Sequence, residues 1–140
     1  MLNKKKLDKI KHYLVKQKDI LVAYLYGSQT TGEANKNSDI DLAVLFDENK
    51  RLPSSWGGRH ISIATELSGI LQKEVEVQDL SLVDISFCHR VLSEGKLIYS
   101  KKEKARTDFE VNCLNKYFDL KPLYQEYSQT LQNQARKGAI

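Results

Sequence analysis

The apolar positions of this chain alternate between a helical and a strand period. Leu7, Ile10 and Leu14 recur at helical spacing with lysines on the other face, which predicts an amphipathic helix over about residues 3–18. Two short apolar runs, Ile20 to Tyr26 and Ile40 to Phe46, are partly β-branched or aromatic and bounded by polar residues, so each predicts a strand. Ile63, Leu67, Ile70 and Leu71 line one face of a helix from Arg59 to Lys73. Glu74-Val75-Glu76-Val77-Gln78 then alternates as a strand, with Val75 and Val77 on one face and Glu76 and Gln78 on the other. Ser81 to Asp84 reads as a capping box with Asp in place of Glu, opening a helix to about Ser93 with Val83, Phe87, Val91 and Leu92 inward and Gly95 as its stop. Lys96 to Tyr99 reads as a short edge strand. A second capping box, Ser100 to Glu103, starts a helix from about 102 to 119 with Val111, Leu114 and Phe118 inward. Pro122 is expected to break or kink it, because proline lacks the N–H and clashes with the preceding turn. Leu123, Tyr124 and Tyr127 continue past the break, and the residues from Gln132 onward read as frayed.

The order helix, strand, Gly-Ser turn, strand, helix, strand, helix, strand, helix predicts an α/β (α+β) fold with a small mixed sheet flanked by helices. The 140 residues suit a single domain, 1–140, with a helical tail at about 102–131. Composition narrows the class without deciding it. Apolar residues make up 41% and charged residues 29%, as expected of a small soluble protein. No apolar run reaches the about 18 residues of a membrane span. The basic N-terminus lacks the apolar segment of a secretion signal. Cys88 and Cys113 show neither metal spacing nor a disulfide framework, so a reducing cytoplasm is the expected compartment. The net charge of +4 is mild, and no basic stripe interleaves with aromatics. A direct nucleic-acid ligand is therefore not expected, and a triphosphate or acidic partner accounts for the sign equally well.

The candidate chemistry lies between the first two strands, in GSQTTGEANKNSDID from Gly27 to Asp41. Gly27 ends a strand where a backbone must turn or admit a ligand closely. Ser28 is placed to cap a short helix from about Gln29, and a helix N-terminus offers free N–H groups to an anion. Asp39 and Asp41 open the next strand two residues apart, hence on one face, with Ile40 and Leu42 on the other. At ~4 Å and an effective dielectric of about 20, two such carboxylates repel by roughly 4 kcal/mol. A divalent cation removes that cost, and Mg²⁺ is held in this way by one or two carboxylates plus substrate phosphates.

The spacing, Gly-Ser, ten residues, Asp-x-Asp, resembles the signature of the polymerase-β-type nucleotidyltransferase superfamily. The chain length and tail resemble the minimal nucleotidyltransferases (MNT-type antitoxins) that pair with HEPN-domain ribonuclease toxins. The resemblance is strongest from Tyr24 to Phe46. It implies a polymerase-β-like nucleotidyltransferase fold and, by matched position, phosphate-binding roles for Gly27 and Ser28. Asp39 and Asp41 would be Mg²⁺ ligands, and Glu76 would be a third acidic residue that ligates metal or takes the proton from the attacking hydroxyl. Two departures show: Gln29 stands where relatives often carry Arg, and Glu76 where they usually carry Asp. The implied function is an antitoxin that transfers AMP from ATP to a tyrosine of its cognate HEPN toxin. The alternatives are an antitoxin acting by binding alone, or a nucleotidyltransferase acting on a small molecule or an RNA end.

Overall fold

The computed structural model describes residues 3–27, 40–53 and 57–136. Their elements, in chain order, are α1 (Lys4–Val15), β1 (Ile20–Tyr26), β2 (Ile40–Phe46), α2 (Arg59–Leu71), β3 (Val75–Asp79), α3 (Ile85–Glu94), β4 (Lys96–Ser100) and α4 (Glu103–Arg136). The sheet runs β3-β2-β1-β4. β1 pairs antiparallel with β2 and with β4, while β2 and β3 are parallel, so the sheet is mixed, as expected.

Both central strands are covered on both faces, which explains why β1 reads ILVAYLY without polar interruption. On one face Ala23, Leu25, Ile40, Leu42, Val44, Val75 and Val77 pack with Ile10 and Leu14 of α1 and Ile63 and Leu67 of α2. On the other, Val22, Tyr24, Tyr26 and Ala43 pack with Cys88 and Val91 of α3 and Cys113 of α4. Gly95 lets α3 pass directly into β4: a Cβ there would lie 2.4 Å from the Val91 carbonyl oxygen and 3.0 Å from that of Leu25.

Several sequence expectations shift. α3 is capped by Asp84, not opened at Ser81: the Asp84 carboxylate accepts from the Phe87 amide at 2.8 Å. In α2 the buried stripe is Arg59, Ile63, Leu67 and Leu71, every fourth residue, so Ile70 turns outward at 46% exposure. α4 presents Phe109, Cys113 and Tyr117 to the body rather than Val111 and Phe118, which are exposed. The helix also continues through Pro122 to Arg136 instead of breaking. That part of α4 lies away from the body, where a bend has nothing to clash with. The expected short helix from Gln29 lies outside the described residues.

Arg59, at the start of α2, is buried, 2.8 Å from Oδ2 of the fully buried Asp19. It also donates to Gln17 at 2.7 Å, while the Leu52 amide donates to Asp19 at 3.1 Å. This one pair joins the entry to β1, the loop after β2 and the start of α2. Removing one partner of a buried pair strands the other charge, at a cost of about 3–5 kcal/mol. Arg59→Ala should therefore lower the urea midpoint by an amount equivalent to about 3–5 kcal/mol; a change below about 1 kcal/mol would disprove the structural role given to the pair.

The far end of β3 is held by Asp79. Burial alone would raise its carboxyl pKa, but the Ser81 hydroxyl and amide and the Arg51 guanidinium at 2.9 Å outweigh burial and hold it below the usual range. A carboxyl depressed in the folded state stabilises fully above its unfolded pKa near about 4, and that contribution is lost as the pH falls through the folded value. Urea midpoints should thus fall as the pH is lowered below about 4, and less steeply in Asp79→Asn. Equal slopes in the two proteins would refute the assignment.

Candidate nucleotide site

β2 carries Asp41 as its second residue, and the strand's alternation turns it away from Ile40 and Leu42, which are fully buried in the core on the opposite face. The pairings then bring three side chains together. Asp41 is the Cα partner of Tyr26 in β1 and of Glu76 in β3. Glu76 lies opposite Val75 and Val77, so Tyr26, Asp41 and Glu76 share one side of the sheet.

Immediately after Tyr26 the chain turns at Gly27, with φ +81°. A Cβ at Gly27 would lie 2.7 Å from Oδ2 of Asp41. Only glycine combines this φ with so close an approach of a carboxylate. The turn and the carboxylate are thus one steric unit.

Tyr26 reports the electrostatics. Its phenol is pushed up to about 12, first by burial and then by the negative charges of Asp41 and Glu76, with Arg90 opposing. Both carboxylates therefore project charge into the space around this hydroxyl. Adjacent strands lie about 4.8 Å apart, and two carboxylates at ~5 Å repel by roughly 3 kcal/mol at an effective dielectric of about 20. The donor set is all oxygen, the set preferred by Mg²⁺ and unlike the nitrogen and sulfur ligands of zinc. The residues fit a hard divalent cation in that sense. Among the described residues no group of three or more potential ligands is gathered, and Asp39 lies outside them, as do Ser28, Gln29 and Lys36.

α3 walls the site. The Phe87 ring meets the Tyr26 ring edge-on, with centroids 5.4 Å apart, and the Arg90 guanidinium lies 5.9 Å from the Phe87 centroid. An open depression of ≈ 540 Å³ runs along the outer edge of β3 against His60, Ala64 and Ser68 of α2; Tyr26, Gly27 and Asp41 do not line it. The sequence reading passed over Tyr26 and Arg90. Strand period was the available signal for Tyr26, since Tyr24 and Tyr26 alternate with the core residues Ala23 and Leu25. Arg90 carried no comparable signal, because its position depends on how α3 crosses the sheet.

Cys88 and His89 of α3 have structural surroundings. Cys88 is buried against Cys113, and its thiol is pushed up to about 12, chiefly by burial. His89 stacks on Tyr117 at 3.6 Å between centroids.

Residues 8–104 match the family described as "Polymerase beta, Nucleotidyltransferase". The chain belongs to this family. Among curated relatives, the protein adenylyltransferase MntA of Shewanella oneidensis is 29% identical over 94 residues, spanning 67% of this chain and 63% of that protein. The protein of the same name from Aphanizomenon flos-aquae is 26% identical over 123 residues, 83% of this chain and 81% of that one. A crystal structure of a toxin–antitoxin pair with AMP-PNP superposes with a TM-score of 0.73 at 25% identity, covering 94% of this chain and 99% of the other. The fold is shared also with a solved complex of tri-AMPylated Shewanella oneidensis HEPN toxin and MNT antitoxin, at a TM-score of 0.68 and 21% identity over 90% of this chain and 98% of the other.

The shared space around Tyr26 is directly testable. Asp41→Asn should lower the Tyr26 phenol pKa from about 12 part of the way towards 10, because removing a negative charge favours the phenolate while burial persists. Titration of ¹³Cζ-labelled tyrosine followed by NMR reads this; an unchanged value would show that the carboxylate does not face the phenol.

Proposed function

We propose that this chain transfers AMP from ATP to a tyrosine hydroxyl of a HEPN-domain toxin and thereby neutralises it. The observation that carries the reading is the side-by-side pairing of Asp41 and Glu76 beside the Gly27 turn in a chain of the nucleotidyltransferase family. A protein as acceptor is supported by the relatives named protein adenylyltransferase, and ATP as donor by the AMP-PNP in the solved toxin–antitoxin pair. The HEPN toxin and its tyrosine follow from the resemblance of the Gly-Ser, ten-residue, Asp-x-Asp stretch.

In this mechanism the backbone at Gly27 and the hydroxyl of Ser28 take the terminal phosphates of ATP. Asp39 and Asp41 are the residues that would hold Mg²⁺, which when bound neutralises phosphate charge. The tyrosine oxygen attacks the α-phosphorus in line, forming the new O–P bond as the bond to the pyrophosphate oxygen breaks. Glu76 accepts the tyrosine proton, the task of a general base within hydrogen-bond reach. Phe87 and Tyr26 close one side against water, and Arg90 adds positive charge there. ATP and magnesium are supplied by the cytoplasm, which is the compartment of this reading. Among the described residues no helix is long and apolar enough to cross a membrane.

The test is intact-mass spectrometry of the toxin encoded by the neighbouring gene, incubated with this chain, ATP and Mg²⁺. One or more AMP additions are expected. Asp39→Asn and Asp41→Asn should each reduce them at least about 100-fold, since even changes to residues that only orient the ligands of a metal cost about 10–100-fold. Transfer at the parental rate by either variant would refute the metal assignment. A stable, inhibitory complex without AMP addition would replace transfer by binding as the mode of neutralisation.

A further inference from the structure

α4 has 34 residues, about 50 Å at 1.5 Å per residue, and only its first half touches the rest of the chain. There Cys113 is buried and Tyr117 stacks on His89 of α3. From Phe118 to Arg136, every residue whose side chain is described is exposed. This segment nevertheless carries a regular apolar stripe of Leu120, Leu123, Tyr127 and Leu131, with Leu123 60% and Tyr127 67% exposed. The stripe continues the packed face. At 3.6 residues per turn, Leu131 lies five full turns beyond Cys113 and hence on the same side of the helix. Leu120 and Tyr127 fall close to that line.

Most helical stability in proteins comes from packing of an amphipathic face, so an exposed apolar stripe of this kind is normally covered. Its composition selects the cover. The charged residues from 118 to 136 are Asp119, Lys121, Glu126 and Arg136, which cancel. A polyanion or an anionic membrane surface requires basic residues along the polar face, and this face is mostly Gln, Asn, Ser and Thr. Aromatic and leucine side chains in a charge-poor surround are the composition of a protein interface.

Position selects the partner. The stripe is continuous with the face that packs on α3, and α3 is the helix whose Phe87 and Arg90 wall the nucleotide site. The family match ends at residue 104, so all of α4 but its first two residues lies beyond it. In the toxin–antitoxin pair solved with AMP-PNP, 94% of this chain is matched. The unmatched 6% of 140 residues is about eight, so more than half of the 19-residue projection has a counterpart in a protein solved with its partner.

We infer that the projecting half of α4 is a docking arm for the protein acceptor, gripping it through Leu120, Leu123, Tyr127 and Leu131 while its hydroxyl is presented at the site. This inference rests on the proposed function. Docking at a distance makes delivery of the acceptor effectively intramolecular, so the arm governs the KM for the toxin and leaves the chemical step untouched.

The test uses full-length Leu123→Glu/Tyr127→Glu/Leu131→Glu, whose positions are exposed and whose helicity is checked by circular dichroism. The KM for the neighbouring-gene toxin should rise at least tenfold, with kcat within twofold and ATP affinity unchanged. An unchanged KM would overturn the arm. So would a parental dimer that becomes monomeric in the variant with transfer unaltered, which would assign the stripe to self-association. If the parent protein transfers no AMP at all, the proposed function fails separately, and gel filtration with the toxin decides the arm. A parental complex lost in the variant supports it; a complex retained, or none formed by the parent, overturns it.

Discussion

β2 is hydrogen-bonded on both sides, and its register places Asp41 between Tyr26 of β1 and Glu76 of β3. A slip of one residue would reverse every side chain of the strand, burying the carboxylate among Ile10, Leu14 and Ile63 and exposing Ile40 and Leu42. The apolar core on one face therefore enforces the polar arrangement on the other. Ile40, Leu42, Val75 and Val77 have no contact with the site chemistry, yet their burial sets where the two carboxylates stand.

That arrangement is held against electrostatic cost. Carboxylates on adjacent strands repel by a few kcal/mol, a large share of the 5–15 kcal/mol that keeps a domain folded. The ends of the strands carry compensating anchors. Asp19 and Arg59 lock the entry to β1 to the start of α2, and Arg51 and Ser81 hold Asp79 at the end of β3. Both anchors sit at the opposite end of the sheet from Gly27 and Asp41, so the site is free to accumulate negative charge while the far end supplies order.

The two halves of α4 divide structure from recognition. Phe109, Cys113 and Tyr117 complete the second face of the sheet, and the same stripe then leaves the body without losing its apolar character. A helix serving only the core would end near residue 117. The continuation through Pro122 adds surface rather than stability to this chain, which fits the protein acceptor proposed for it.

What the sequence determined by itself was local: the strands β1, β2 and β3, the helices between them and the edge strand β4, each written in the period of its apolar residues, with the mixed sheet expected from their order. The family signature from Gly27 to Asp41 was likewise legible, because turn chemistry and paired carboxylates at fixed spacing are local features. What only the tertiary structure decided were the relations between distant segments. The pairing of Glu76 with Asp41 required the parallel alignment of β2 and β3, which alternation within β3 cannot specify. The burial of Arg59 required a partner 40 residues away, and a lone arginine at a helix start reads as solvated until Asp19 is beside it. The inward face of α4 differed from expectation because Val111 and Phe118 are as apolar as Phe109 and Tyr117, and only the position of α3 selects between the two stripes. Periodicity tells which residues share a face; the neighbour that covers the face is set by long-range packing.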